Sequence, residues 1–301
     1  MRPMPQLGEF DGQFGLRVLR DGAFEGPGKL STHLPGRLVP VRSERFVSEA
    51  NGTSHVSAVI TLPGLEDAFD DRLAVAVCED PDAAHAEIHM LFAGRHEEFL
   101  RATPSAIHPD AHIDGRASVA PYGVSVAAGA VIGPNVVLSP GTVIEEDVVL
   151  RPGCVIGDPA FNLGRAGGRR RILPSLGGVR IGRGAELAAH VCVDAAMFGG
   201  ETRVGEETAI DHHAYLAHDV QLGRLVTVCA HAAIMGRVVI GQLAYVGPGA
   251  VIVNGAVIGA GASITMGAVV TRDVAEKARV SGNFALPHGR FLEILRRDRD
   301  T

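Results

Sequence analysis

The sequence predicts an all-β-dominated chain wound into a parallel β-helix, and three observations carry that expectation. The first is a six-residue beat. Stepping by six from Val204 gives Ile210, Leu216, Leu222, Val228 and Ile234, and the beat stays aliphatic through Ile264 and Val270. It also runs earlier through Val126, Ile132, Leu138, Ile144, Leu150 and Ile156, and returns at Ile181, Leu187 and Val193. The second is glycine, 38 of 301 residues, often directly after the aliphatic, as at Gly133, Gly205, Gly223 and Gly241. The third is a shortage of rings: Trp is absent and aromatics are 5 %, against 46 % hydrophobic residues overall. A core of Val, Ile, Leu and Ala in thin, similar layers suits a solenoid better than a globule.

A period of six fits neither an α-helix nor a single strand. It fits a coil with three flat sides, each pointing one aliphatic inward, with small residues at the corners. Three sides make a turn of about eighteen residues. Residues that far apart then stack on neighbouring turns, at the ~4.8 Å spacing of adjacent strands. Glycine and asparagine supply positive φ at corners that need it.

Two stretches break the beat. Between Ile156 and Ile181 lies Gly164-Arg165-Ala166-Gly167-Gly168-Arg169-Arg170-Arg171, whose glycines and like charges cannot fill a coil side and should loop out. A second break, between Val193 and Val204, centres on Phe198-Gly199-Gly200. Loops on a scaffold often carry function; for the arginines, a tolerated surface insertion is an equally good reading.

The flanks differ from the coil. Residues 1–39 are rich in Gly and Pro and read as an N-terminal extension without assigned structure. Residues 40–103 read as a small α/β domain, with strands near 57–62 and 73–77. Asp80-Pro81 opens a helix there, and Ala84, Ile88, Leu91 and Phe92 fall at helical spacing. The coil occupies 104–283. A short C-terminal helix over 284–301 carries Phe291, Ile294 and Leu295, followed by Arg296, Arg297 and Arg299.

A formal net charge of −6 lacks the basic footprint of a nucleic-acid binder. Cys78, Cys154, Cys192 and Cys229 make no CxxC pair and read as small buried hydrophobes, not a zinc site or a disulfide framework. No apolar run approaches the length of a membrane span and no apolar leader stands at the N-terminus, so a soluble, cytoplasmic protein is expected.

Several motifs carry a family resemblance. They are Leu173-Pro174-Ser175-Leu176-Gly177-Gly178-Val179, Val193-Asp194, Tyr215-Leu216-Ala217-His218-Asp219-Val220, Ile234-Met235-Gly236 and Thr265-Met266-Gly267-Ala268-Val269-Val270-Thr271-Arg272. With the order of parts, they resemble the UDP-3-O-acylglucosamine N-acyltransferases of lipid A biosynthesis over most of 40–297. The resemblance implies a left-handed coil, a homotrimer, and an acyl group taken from acyl carrier protein. It implies His218 as catalytic base and a backbone N–H at Gly236 as oxyanion donor. It also makes Phe46 a candidate acceptor contact. The chain departs from the family at Glu49 and Gly52, near where an asparagine and an aromatic hold uracil, and at Ala256, where a later histidine stands. Val280-Ser281-Gly282-Asn283-Phe284-Ala285 also resembles the end of acetyl-CoA-using hexapeptide acetyltransferases, so a sugar N- or O-acetyltransferase stays open. A non-catalytic scaffold is the third reading.

The residues make chemical sense independently. Acyl transfer from a thioester to a sugar-type amine needs a base for the nucleophile's proton and donors for the oxyanion. Histidine titrates near working pH. His218 lies two residues past the inward Leu216, so it should sit outward near a corner. Gly236 is eighteen residues later and should stack one turn above it. Asp194 is a candidate substrate or orienting contact. Asp219 could orient His218, but successive strand side chains point to opposite faces, which ranks it lower. Asp211, His212, His213 and His231 form a second polar group for the substrate, with His213 and His231 expected to stack. A metal needs about three or four convergent ligands, so no metal is expected and stacked histidines at a trimer interface are the plainer reading. No bound cofactor is expected; acyl carrier protein or CoA would enter as the acyl donor. An extended coil has no deep pocket of its own, and a cleft between neighbouring coils would supply one, which argues for a homotrimer.

Overall fold

The computed structural model describes residues 4–282, 287–290 and 296. From Ala106–Ile107 to Arg279–Val280, short strands stack into three parallel sheets of nine, eight and eight strands. The register is the eighteen-residue step: Leu216 pairs with Ile234, and Ile234 with Ile252. Every aliphatic on the beat from Val204 to Val270 is buried, none more than 6 % exposed. With the earlier members they form one continuous core. This is the left-handed parallel β-helix, with a small N-terminal α/β domain, that the sequence led us to expect.

The corners are less permissive than glycine-built ones. Glu207, His213, Asp219, Leu225, His231, Arg237 and Leu243 all hold positive φ, between 54° and 62°. Glycine takes the equivalent position in other rungs, at Gly123, Gly129, Gly141, Gly153 and Gly184 earlier in the coil and at Gly249, Gly255, Gly261 and Gly267 later. A left-handed conformation costs an ordinary residue ~1–2 kcal/mol, so rung packing imposes the corner against local preference. The glycines that follow the aliphatics have a different reason. At Gly223 a Cβ would meet the Gln242 backbone nitrogen at 2.7 Å, so a side chain there would push successive rungs apart.

The N-terminal domain is a five-stranded sheet of order β1-β5-β4-β3-β2, comprising β1 (Arg17–Arg20), β2 (Gly26–Pro27), β3 (Arg37–Val41), β4 (Val56–Thr61) and β5 (Ala74–Val77). Only β1 runs antiparallel to its neighbour. The boundary expected at 39 is therefore corrected. Residues 17–27 supply both edges of the sheet, in strands too short and too interrupted by Gly and Pro to show a period. The central strands are aliphatic on both faces, as a parallel sheet covered on both sides requires. Leu38, Ala58, Ile60 and Ala76 pack toward Ala84 and Ile88 of α2 (Pro81–Arg101). Val39, Val59 and Val75 pack with Ala50 of α1 (Val47–Gly52). Asp80 caps α2 by accepting the Ala83 N–H at 3.1 Å, and Pro81 follows at the first turn.

Both breaks in the beat become clamps onto α2. The arginine segment does leave the coil, as a hairpin of Leu163–Ala166 against Arg169–Ile172, turned at Gly167 and Gly168 in positive φ. Ala166 and Leu173 pack on Ala86 and Met90, and the Gly167 N–H donates to the Glu87 carboxylate at 2.5 Å. The second break carries Phe198 to the same helix, where its ring meets His85 and His89 edge-on at centroid distances of 6.1 and 5.5 Å. Arg37 donates to the Phe198 carbonyl at 3.1 Å. The C-terminal helix expected over 284–301 lies outside the described residues, apart from helical positions at 288–290 and 296. Among the described residues no helix is long and apolar enough to cross a membrane.

The clamp is pH-sensitive. Burial, reinforced by the neighbouring His89, pushes His85 down from 6.5 to about 3. Above pH 6.5 His85 is neutral whether folded or not. As pH falls, the unfolded chain takes up a proton that the folded chain refuses, so stability is lost progressively between 6.5 and about 3. Thermal melting of wild type should therefore fall over this range, and His85→Gln should flatten the fall. An equally steep fall in the variant would contradict the assignment.

Candidate active site

His218 follows the strand Tyr215–Leu216, at the corner between two sides of the prism. Its imidazole lies against the next rung. A Cβ on Gly236 would crowd the ring at Nε2 and Cε1, closer than van der Waals contact allows, so glycine at 236 is what lets the imidazole approach the backbone. The eighteen-residue spacing thus brings the two together as the sequence led us to expect. The Arg237 N–H donates to the His218 carbonyl at 2.9 Å and holds the rungs together at this point.

Asp219 meets His218, against the alternation expected of strand side chains. Its Oδ2 lies 2.7 Å from His218 Nδ1. Alternation does not apply because the strand has already ended and Asp219 occupies the left-handed corner, at φ 61°. That conformation brings two consecutive side chains to one side. The Asp219 N–H donates to Thr202 Oγ1 at 2.8 Å, and the Met197 N–H approaches Oδ2 at 3.4 Å. With the carboxylate ionised, the contact calls for the proton on Nδ1 and leaves the Nε2 lone pair beside Gly236.

A cavity of about 690 Å³ opens beside His218. Ser31–Leu34 of the N-terminal domain, the Phe198–Glu201 loop, and Arg203 and Arg237 of the coil wall it. The expectation that a neighbouring coil must supply the cleft is thereby corrected: the α/β domain and the second break supply walls from the same chain. Sequence reasoning missed Ser31–Leu34 because nothing periodic marks them. It missed Arg203 and Arg237 because an arginine on a coil face reads as a solvated charge.

Asp194 lies on the neighbouring strand, 6 % exposed, and accepts the Tyr215 hydroxyl at 2.6 Å. Burial raises its carboxyl above the usual range, opposed by the Tyr215 hydrogen bond and supported by the nearby Asp158. Burial and Asp194 push the Cys192 thiol up to about 12, so this cysteine is an inert thiol rather than a nucleophile.

The second polar group does not join the site. His213 and His231 stack as expected, with centroids 5.1 Å apart and planes within 4°. A third ring, His190, stacks beneath them at 5.0 Å. They occupy the corner before Tyr215–Leu216, one full side of the prism from His218. Parallel rings present faces to each other rather than converging lone pairs. His212 Nδ1 pairs locally with Asp211 Oδ1 at 2.6 Å, and both are exposed. Phe46 sits under the Arg45 guanidinium, 4.3 Å from centroid to Cζ, and lines a separate groove rather than the His218 cavity.

The fold and this corner define a hexapeptide-repeat β-helix with an imidazole, a carboxylate and a backbone amide assembled on one edge. The bacterial transferase hexapeptide family model matches residues 123–158, and the same beat continues to the end of the coil. In sequence, the chain is similar to UDP-3-O-acylglucosamine N-acyltransferases. That of Caulobacter sp. strain K31 is 42 % identical over 71 residues, 23 % of this chain and 20 % of that protein. That of Pseudomonas entomophila is 27 % identical over 194 residues, 56 % of this chain and 54 % of the relative. That of Leptothrix cholodnii is 32 % identical over 211 residues, 58 % and 60 %. The chain thus spans between a fifth and three fifths of these relatives' length. Among solved structures, Arabidopsis UDP-N-acetylglucosamine acyltransferase aligns at TM-score 0.44 and 21 % identity, covering 65 % of this chain and 76 % of that one.

Because Asp194 titrates higher folded than unfolded, its ionised form costs stability above the ordinary carboxylate range, and the cost disappears as pH falls below it. Asp194→Asn, which can still accept from Tyr215, should raise the melting temperature at pH 7, with the gain shrinking toward pH 4. A lower melting temperature at pH 7 would contradict this.

Proposed function

We propose that this protein is an acyltransferase that moves an acyl group from a thioester to the amine of a nucleotide-linked amino sugar. The observation that carries the reading is the imidazole of His218 set against Gly236 of the next rung, with Asp219 behind it. The relatives' names support the reaction class and the UDP-sugar acceptor. The thioester is carried by acyl carrier protein or CoA, and the working unit is a cytoplasmic homotrimer.

The geometry suits the chemistry step by step. Asp219 holds the His218 proton on Nδ1. Nε2 accepts a proton as the acceptor amine attacks the thioester carbon and the C–N bond forms. The carbonyl electron pair moves onto oxygen, next to the Gly236 backbone, whose N–H donates to it. Collapse breaks the C–S bond, and the thiolate recovers its proton from the imidazolium. The products are an amide and a free thiol. Ser31–Leu34 over the cavity limit water's access to the intermediate.

The test is thiol release from acyl-carrier-protein and acyl-CoA thioesters with UDP-linked 2-amino sugars. His218→Ala should lower turnover by ~10²-fold or more at unchanged melting temperature. Asp219→Asn should lower kcat with little change in acceptor KM, because asparagine keeps the size of the side chain on the cavity wall and changes its hold on the imidazole. Near-normal turnover in His218→Ala would overturn the reading.

A further inference from the structure

The hairpin inserted in the coil takes no part in the proposed chemistry, yet its charges are arranged at a cost. From Leu163 to Ile172 it carries four arginines and no acidic residue. Arg165 and Arg170 are direct cross-strand partners, so two guanidinium groups share one face of an isolated hairpin. Like charges placed opposite each other on a sheet destabilise it. The hairpin is held in that position by its packing on α2. The pair lines a groove of about 1350 Å³, whose other wall includes Lys29, Arg45 and Phe46.

A second, independent observation lies in the same groove. Asn162 lines it, is only 5 % exposed, and among the described residues its Nδ2 has no hydrogen-bond acceptor. A buried amide donor without a partner is disfavoured unless something supplies an oxygen. The groove is not uniformly basic: Glu49, Asp80 and Asp82 also line it, and Arg42 pairs with Asp82 at 2.7 Å. On the hairpin side, however, Arg165 and Arg170 have no acidic partner among the described residues, and anionic oxygens are the chemistry that matches two guanidinium forks beside an amide. A flat aromatic, Phe46, stands on the opposite wall.

We propose that Arg165, Arg170 and Asn162 form a diphosphate-binding site, which takes the pyrophosphate of a nucleotide-type ligand in the groove between hairpin and α/β domain. Phe198 and Ser31 line both this groove and the His218 cavity, so a ligand anchored here extends toward the reacting corner. The inference deepens the proposed function by assigning residues to the nucleotide end of a substrate. Its test measures binding alone, so it stands or falls separately from the role of His218. Both a UDP-sugar acceptor and a CoA donor carry a pyrophosphate, and the experiment separates them.

Calorimetric titration of the full chain bearing His218→Ala, with inorganic pyrophosphate, UDP and CoA in turn, reads the site without turnover. Pyrophosphate and at least one of the two nucleotides should bind, more weakly as salt rises. The double variant Arg165→Ala/Arg170→Ala should weaken binding about tenfold or more, and Asn162→Asp should do so as well. Arg169→Ala/Arg171→Ala, on the other face of the hairpin, should change it less than about twofold. Preference for UDP assigns the groove to the acceptor, and preference for CoA to the donor. The Arg165/Arg170 variant should melt no lower than its parent, since it loses a repulsion, which separates lost binding from lost fold. Equal weakening by both arginine pairs, or no binding of any diphosphate, would overturn the proposal.

Discussion

Each turn of the coil rests on the next through three parallel strands and one inward aliphatic per side, and this vertical registry governs everything the molecule places on its edges. Leu216 over Val193 and under Ile234 leaves no freedom to slip, because a one-residue shift would turn the inward aliphatic outward. His218 therefore cannot choose its neighbour. Two residues past Leu216 it must lie against residue 236, and whether a side chain stands there decides whether the imidazole can touch the backbone. The same registry forces the corners into left-handed backbone even where Asp, His or Leu occupies them. At 219 that imposed conformation becomes useful, since it turns a carboxylate back onto the preceding histidine.

Much of this was legible in the sequence, for a physical reason. A solenoid layer buries the same small set of positions every turn, so its period survives in one dimension as an unbroken series of Val, Ile and Leu. The stacking of 218 on 236 and of 213 on 231 follows by counting. What could not be counted was hidden by departures from the count. His190 stacks on His213 but lies twenty-three residues before it, because the Phe198 loop lengthens that turn. Asp219 was obscured by a strand rule that ends one residue too early. The walls at Ser31–Leu34 and the edge strands at 17–20 and 26–27 carry no pattern, since strands of two to four residues between glycines and prolines are fixed by tertiary contacts and not by local preference.

The two breaks in the beat explain how a prism acquires a site. Left alone, the coil would present His218 on an open edge. The Phe198 loop and the arginine hairpin leave the coil and grip α2 from two places, one through the edge of a ring between neutral histidines, the other through an aliphatic seam. The α/β domain is thereby held with residues 31–34 across the corner, and a cavity and a groove meet at Phe198. Positive charge gathers on the groove side, whereas the buried Asp194–Tyr215 pair keeps the neighbouring coil face tightly bonded.

The most direct measurement of this account is turnover and melting of Gly236→Ala. Residue 236 is outside the positive-φ set, so alanine suits its backbone, and the amide N–H is retained. The three atoms nearest the added methyl group all belong to the His218 imidazole, a side chain that can turn away. The account predicts an unchanged melting temperature with acyl transfer lowered by ~10²-fold, the penalty expected when a reacting group is displaced by about an ångström. Turnover close to wild type in a folded Gly236→Ala protein would contradict it.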